Sequence, residues 1–316
     1  MASAKYQGVI LAAGHGSRMG PFGDAVPKPI APICNKPLLI YQLEYMQGLG
    51  IEDVIVVIGH LGDRISRVLG DGSDLGLRLH YVEQKQRLGL AHAVGQLEPH
   101  IDRPFLLMLG DIFFDVTDLG AMSTAFEEGD TAAVLAVKEE SNPAAIRRNF
   151  AVLLREDGTV RRVIEKPLRV LNSLKGCGIY LLDQRIFEAV RRTPRTAMRD
   201  EYELTDSLQI LIDYGYTVRT ASVVDWDVNV TFIEDLITCC VHQLGTLGKS
   251  HLVGGGGSLS SGVTLIDTVV GERVAIEHPI RLERCVVLPD VTFTGAEDLR
   301  DSVITQDGVL HSEKRT

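Results

Sequence analysis

The 316-residue sequence is short of several features that would give a function away. Its five cysteines (Cys34, Cys177, Cys239, Cys240, Cys285) are odd in number and show no CxxC spacing. They read as reduced thiols, which excludes a zinc or disulfide framework. The nine histidines contain no HExxH pair. MASAKYQ at the start lacks the apolar core of a secretory signal, and no apolar run reaches membrane-spanning length, so the expectation is a cytoplasmic protein. Basic charge is also in deficit: the formal net charge of −10 argues against a general nucleic-acid surface. What is there is a globular composition, 45% hydrophobic and 23% charged, with few aromatics. The length suits one large domain with an appendage, or two ordinary domains.

Strand-like and helix-like segments alternate from the beginning. "YQGVILAAG" and "DVIVVIGH" are buried-strand runs, and "LRLHYVEQ" and "PFLLMLGDIFF" read as a third and a fourth strand. Between them, "KPLLIYQLEYMQGLG", "DRISRVLGDG" and "GLAHAVGQLEPH" have helical spacing, with Leu39, Leu43 and Met46 on one face of the first. This alternation predicts an α/β fold: a Rossmann-like, mixed but mainly parallel sheet flanked by helices. After residue 130 strands crowd together, with an Asp-Gly hairpin turn in "LREDGTVRRV". "ELTDSLQILIDYG" and "TFIEDLITCCVHQLG" again look helical. From about residue 245 the texture is Gly/Ser-rich and then β-branched. Val263, Val269, Val274, Ile280, Val286 and Val291 recur roughly every six positions, as in coils of a β-helix. A small β-rich cap is the alternative. The expected domains are residues 1–245 and a C-terminal β region, residues 246–316.

"ILAAGHGSRMG", residues 10–20, ends an apolar run in two glycines, a usual mark of backbone brought close to phosphate. It is neither of the common loops. A dinucleotide fingerprint needs a third glycine where Met19 stands, and the second strand ends without a carboxylate; no G-x-x-x-x-G-K-[ST] string occurs. Five of the twelve prolines (Pro21, Pro27, Pro29, Pro32, Pro37) stiffen the stretch that follows. That stretch carries Arg18 and Lys28, which with exposed N–H groups suit a triphosphate.

The whole string "LAAGHGSRMGPFGDAVPKPIAPICNKPLLIY" resembles the signature of sugar-1-phosphate nucleotidyltransferases, and "GLAHA", "LGD", "EKP", "YELTD" and "WDVNVTFIEDL" follow in that family's order. The resemblance covers residues 6–245 and lies nearest the thymidylyl- and uridylyltransferases for hexose phosphates. It implies the nucleotide-diphospho-sugar transferase fold and the transfer of a nucleotidyl group from a pyrimidine NTP (UTP or dTTP) to a sugar-1-phosphate, with release of pyrophosphate. The nucleophile is already an anion, so alignment and charge neutralisation suffice.

By resemblance, Arg18 and Lys28 bear on the triphosphate. Leu11, Ala12, Ala13, Gly14, Gly16 and Ser17 form the nucleotide loop, and Gln84 and Gly89 read the pyrimidine. Asn149, Glu165, Lys166 and Gly178 would hold the sugar phosphate, and Asp111 with Asp227 would hold Mg²⁺. Asp225 is the competitor of Asp227, and a Lys-Pro pair after a strand could equally be a solvated turn. Asn149–Phe150 departs from the aromatic-glycine pair of many hexose-specific relatives, which leaves the sugar open. His92 and the Cys239–Cys240 pair read as packing. The tail resembles the left-handed β-helix end of longer relatives, and implies a homo-oligomer. A purine NTP, a non-hexose phosphate and a catalytically silent nucleotide-sugar-binding homologue remain the alternatives.

Overall fold

The computed structural model describes residues 4–14, 16–20, 22–23, 26–197 and 200–312. The chain divides into two compact units: Met1–His15 with Gln42–Asp227, and Gly16–Tyr41 with Val228–Thr316.

The first unit is built on β1 (Gln7–Leu11), β2 (Asp53–Ile58), β3 (Arg78–Glu83), β4 (Phe105–Leu109), β5 (Ile112–Val116), β6 (Thr131–Glu139), β7 (Phe150–Leu154), β8 (Val160–Glu165), β9 (Leu174–Leu182), β10 (Thr217–Ser222) and β11 (Val224–Asn229). Among the described residues nine of these form one sheet, in the order β8-β7-β9-β4-β1-β2-β3, with β6 on β9 and β10 on β6. β4, β1, β2 and β3 run parallel, as the alternation requires. β9 is antiparallel to β4, β6 and β7, so the second half extends the sheet as a mixed ladder.

β1, β2 and β4 are buried along nearly their whole length, for instance Val9, Val57 and Leu107 at 0% exposure, whereas β3 at the sheet edge is largely exposed. Both faces of each buried strand are covered, so its apolar run is continuous rather than alternating. Helices Leu90–Gly95, Arg185–Arg192 and Leu204–Asp213 contribute Val94, Ile186 and Leu208 to that core. "PFLLMLGDIFF" forms two strands rather than one. Gly110 N donates to Leu11 O at 2.9 Å, and the chain turns at Gly110–Asp111 so that β5 leaves the main sheet to pair with β11.

In the second unit, helix Ile233–Thr246 is followed by a stack of parallel coils. His251 pairs with Thr268, Ser258 with Ala275, Thr264 with Arg281, Val269 with Val286, Ala275 with Thr292 and Leu282 with Leu299. Every pair is 17 positions apart. The irregular six-residue period of the sequence is therefore a regular 17-residue coil. Val270, Val274, Ile280 and Val291, 1–3% exposed, fill its interior. Inter-coil ion pairs follow the same spacing, as in Arg273–Asp290 and Arg284–Asp301. The last coil ends in the antiparallel strand Gly308–His311.

Candidate nucleotide and sugar-phosphate site

The candidate nucleotide loop begins where β1 ends. Ala12 N donates to Val57 O at 2.8 Å, which carries the extended backbone past the strand. Two glycines flank it. A Cβ on Gly59 would sit 2.8 Å from Ala13 O, and one on Gly110 would sit 2.9 Å from Leu11 O. Any larger residue there would push the Leu11–Ala13 backbone out of line. Gly14 is exposed with open space around its Cα.

Gly16 opens the second unit and shows why glycine stands there. Its φ is +72°, and a Cβ would lie 3.2 Å from the Lys28 side chain. Its carbonyl accepts from Met19 N at 3.0 Å, closing the short 3-10 turn Ser17–Met19. Arg18 is exposed, whereas Lys28 is buried at 6% exposure and lies against Gly16. A second 3-10 turn, Lys28–Ile30, follows, with Pro27 extended before it. The backbone of Gly16 and the methylenes of the Lys28 side chain are thus one packed feature.

In the first unit, Gln84 follows β3; its backbone N–H donates to Ile58 O at 2.8 Å and its Nε2 lies 3.4 Å from His92 Nδ1. The GLAHA turn is clasped by Tyr202, which sequence reasoning did not single out. Leu88 O accepts from Tyr202 N at 2.7 Å, and Tyr202 O accepts from Ala91 N at 2.9 Å. A Cβ on Gly89, whose φ is +111°, would fall 2.4 Å from Tyr202 O. The signal was the "YELTD" string itself, read as a motif without a partner.

Asn149, Glu165 and Lys166 come together at the paired ends of β7 and β8. Glu165 stands opposite Phe150, and Lys166 N donates to Asn149 O at 2.7 Å. Lys166 takes a left-handed φ of 41°, and its Nζ is 3.6 Å from Glu165 Oε1. Thr205, at the start of helix Leu204–Asp213, donates to Glu165 Oε2 at 3.3 Å. The Asn149 amide donates to Ala145 O at 3.0 Å, back into helix Pro143–Arg148. The outer edge of the Phe150 ring fills the space beside Gly176, where a Cβ would meet it at 1.9 Å, and the ring stacks on Tyr180 at 5.9 Å. Gly178, at φ +76°, faces Ile112 and Leu109.

Asp111 lies just past the C-terminal end of β4, the usual ligand edge of a parallel sheet. It is half-buried, and no described side chain bonds to its carboxylate. Asp227 is different. Its side chain has no exposure and accepts from Lys175 Nζ at 2.7 and 2.6 Å and from Lys138 Nζ at 3.1 Å. Lys175 and Lys138 face each other across β9 and β6, and Glu140 lies 3.5 Å from Lys138. Although burial opposes it, the Asn142 N–H bond and the nearby lysines hold Glu140 below the usual carboxylate range. Burial pushes the neighbouring Cys177 thiol up to about 12. Among the described residues no group of three His, Cys, Asp or Glu side chains could cage a metal. An ion that keeps most of its shell as water and phosphate oxygen needs only one or two carboxylates, and Asp111 fits that demand.

The family model described as nucleotidyl transferase matches residues 7–228, and the chain belongs to that family. Its relatives include the low-salt glycan biosynthesis nucleotidyltransferase Agl11 of Haloferax volcanii, 35% identical over 236 residues. That match takes in 73% of this chain and 64% of Agl11, just under two thirds of the relative's length. The glucose-1-phosphate thymidylyltransferase of Streptomyces antibioticus is 30% identical over 94% of this chain and 91% of its own. The UTP–glucose-1-phosphate uridylyltransferase AglF of Haloferax volcanii is 32% identical over 72% of this chain and 93% of its own. A solved UDP-glucose pyrophosphorylase in complex with UDP-glucose superposes with a TM-score of 0.66 at 22% identity. It covers 76% of this chain and 99% of its own, and bears out the fold.

Proposed function

We propose that the chain joins a sugar-1-phosphate to the α-phosphate of UTP or dTTP, releasing pyrophosphate. The observation that carries this reading is a shared sheet edge in the first unit: Leu11–Gly14 runs out of β1 between Gly59 and Gly110, and Asp111 follows Gly110 at the end of the neighbouring strand β4. Relatives named as thymidylyl- and uridylyltransferases support the choice of reaction.

In this reading Leu11, Ala12, Ala13, Gly14, Gly16 and Ser17 offer backbone to the nucleotide. Lys28 and Arg18 neutralise charge on the triphosphate, and Arg18 stabilises the charge that builds on the leaving pyrophosphate. Gln84 presents a donor and an acceptor to the pyrimidine edge, while Gly89 admits the base. Asn149, Glu165, Lys166 and Gly178 orient the sugar phosphate, whose anionic oxygen attacks without a general base. Mg²⁺ is the metal of the proposal; it would supply charge neutralisation at the α-phosphate. Asp111 would hold it, and Asp227 reaches it only by exchanging its bonds to Lys175 and Lys138. Residues 1–245 serve as the catalytic domain in this account and 246–316 as its tail.

Assembly into a homo-oligomer is supported by the first coil. Residues 250–266 contain no Asp, Glu, Lys or Arg, and their strands lie at the ends of their ladders with Val253 and Leu259 about 40% exposed. Work in the cytoplasm is part of the proposal. Among the described residues no helix is long and apolar enough to cross a membrane.

The test is a panel of NTPs against several sugar-1-phosphates, followed by pyrophosphate release. UTP or dTTP is expected to exceed ATP and GTP in kcat/KM by at least about tenfold, roughly 1.4 kcal/mol. A purine NTP as the best substrate would remove Gln84 from base recognition. No pyrophosphate from any pair, with binding intact, would favour the silent homologue.

A further inference from the structure

Cys34 and Cys240 are 206 positions apart, yet their side chains lie side by side in the second unit. Cys34 Sγ donates to Cys240 O at 3.4 Å, and Cys240 Sγ donates to Pro32 O at 3.7 Å. Cys34 sits at the tip of the hairpin formed by Pro32–Ile33 and Lys36–Pro37, where Cys34 and Asn35 take left-handed φ values of 49° and 64°. Cys240 lies on helix Ile233–Thr246. We propose that Cys34 and Cys240 form a reversible disulfide when the protein meets a hydroperoxide, tying the hairpin to the helix.

The electrostatics favour Cys34 as the attacking group. Its bond to Cys240 draws the thiol below the ordinary range, against burial, and the charge of Lys249 adds to the effect. The same bond, together with burial, holds Cys240 well above it. Burial raises the other three thiols, Cys177, Cys239 and Cys285. Nucleophilicity resides in the thiolate, so one member of the pair is poised to attack and its neighbour to resolve. Cys34 is buried yet keeps 8% exposure, against 0% for Cys239 and 1% for Cys240.

The electrons balance in two steps. The Cys34 thiolate attacks one peroxide oxygen, giving a sulfenic acid and, with the thiol's own proton, one water. The Cys240 sulfur then attacks the sulfenic sulfur; the S–S bond forms, and the hydroxyl leaves with the Cys240 proton as a second water. Both thiols are oxidised by one electron each, and the peroxide is reduced by two. Closing the S–S bond to about 2.05 Å requires a shift of the two side chains toward each other. The disulfide closes a very long loop, which constrains the unfolded chain strongly.

The test treats the full-length protein with one equivalent of hydrogen peroxide, then compares intact mass, non-reducing peptide maps and melting with untreated protein. Expected are a mass lower by about 2 Da, a Cys34–Cys240 linked peptide, and a Tm raised by roughly 5 °C or more, all reversed by dithiothreitol. Cys34→Ser and Cys240→Ser should each abolish the link, and Cys239→Ser should keep it. These readouts do not depend on turnover, so they stand or fall separately from the proposed reaction. A link through Cys239, or oxidation of Cys34 to the sulfinic acid with Cys240 untouched, overturns the proposal. So does wild-type protein that keeps both thiols.

Discussion

Replacing Asp227 by asparagine tests the most buried electrostatic feature of the first unit. Its carboxylate is fully enclosed and receives Lys175 Nζ at 2.7 and 2.6 Å and Lys138 Nζ at 3.1 Å. Asparagine keeps the shape and one acceptor but removes the charge. Lys175, 2% exposed, then stays buried beside a second ammonium with no anion between them. Stranding a buried charge in this way costs about 3–5 kcal/mol, far more than breaking an exposed pair. At the steepness expected for a chain of this size, Tm should fall by roughly 6 °C or more. Asp227→Leu combined with Lys175→Met removes both charges and leaves Lys138 its contact with Glu140, 3.5 Å away, so much of the loss should be recovered. Chemical denaturation of wild type, the single variant and the double variant gives the three energies. An Asp227→Asn protein within about 1 kcal/mol of wild type would refute the reasoning, because the lysines would then have another way to be satisfied.

Arg18→Ala should lower kcat by roughly 10²-fold or more if the guanidinium meets charge that develops in the transition state. A rise in KM for the NTP at unchanged kcat would reduce Arg18 to ground-state binding. Gly89→Ala would place a methyl 2.4 Å from Tyr202 O at a φ of +111°, so binding of the nucleotide, measured by calorimetry, should weaken at least about tenfold; unchanged affinity would separate the turn from the base. The Asp53 carboxyl is held below its usual range, chiefly by its hydrogen bond from Arg78, with Arg103 adding. A depressed folded value means that its stabilisation is present above about pH 4 and is lost as pH falls through that lower value. Asp53→Asn should therefore flatten the acid limb of the Tm–pH curve, and an unaltered limb would show that the pair contributes nothing there.

The parallel half of the sheet was legible because both faces of β1, β2 and β4 are covered and their apolar runs are unbroken. The tail was legible as coils, but its spacing looked irregular. Val263, Val269, Val274, Ile280, Val286 and Val291 advance by six, five, six, six and five, and only the register pairs show that three steps make one 17-residue coil. Helix Pro143–Arg148 carried a readable start, Asn142 accepting from Ala144 N at 2.9 Å with proline at the first position. It was missed because it is short. At the site, the glycines of the loop were visible, but the supports were not. Gly59, Gly110 and Tyr202 are distant in sequence from what they touch, and their role depends on backbone approach rather than residue type. Lys175 and Lys138 gave no signal at all, since a lysine inside a strand ordinarily reads as a solvated position. Only the pairing of β9 with β6 puts both beside Asp227.

In the proposed reaction the α-phosphorus of a pyrimidine NTP passes to a sugar-1-phosphate. The most direct measurement supplies UTP or dTTP labelled at the α-phosphorus, with glucose-1-phosphate and Mg²⁺, and follows the label by mass or chromatography in wild type and Asp111→Asn. Expected are the label in an NDP-sugar, one pyrophosphate released for each, and loss of most of that product in the variant while its Tm is unchanged. Label appearing in free nucleotide alone, or undiminished product from Asp111→Asn in excess EDTA, would contradict this reading.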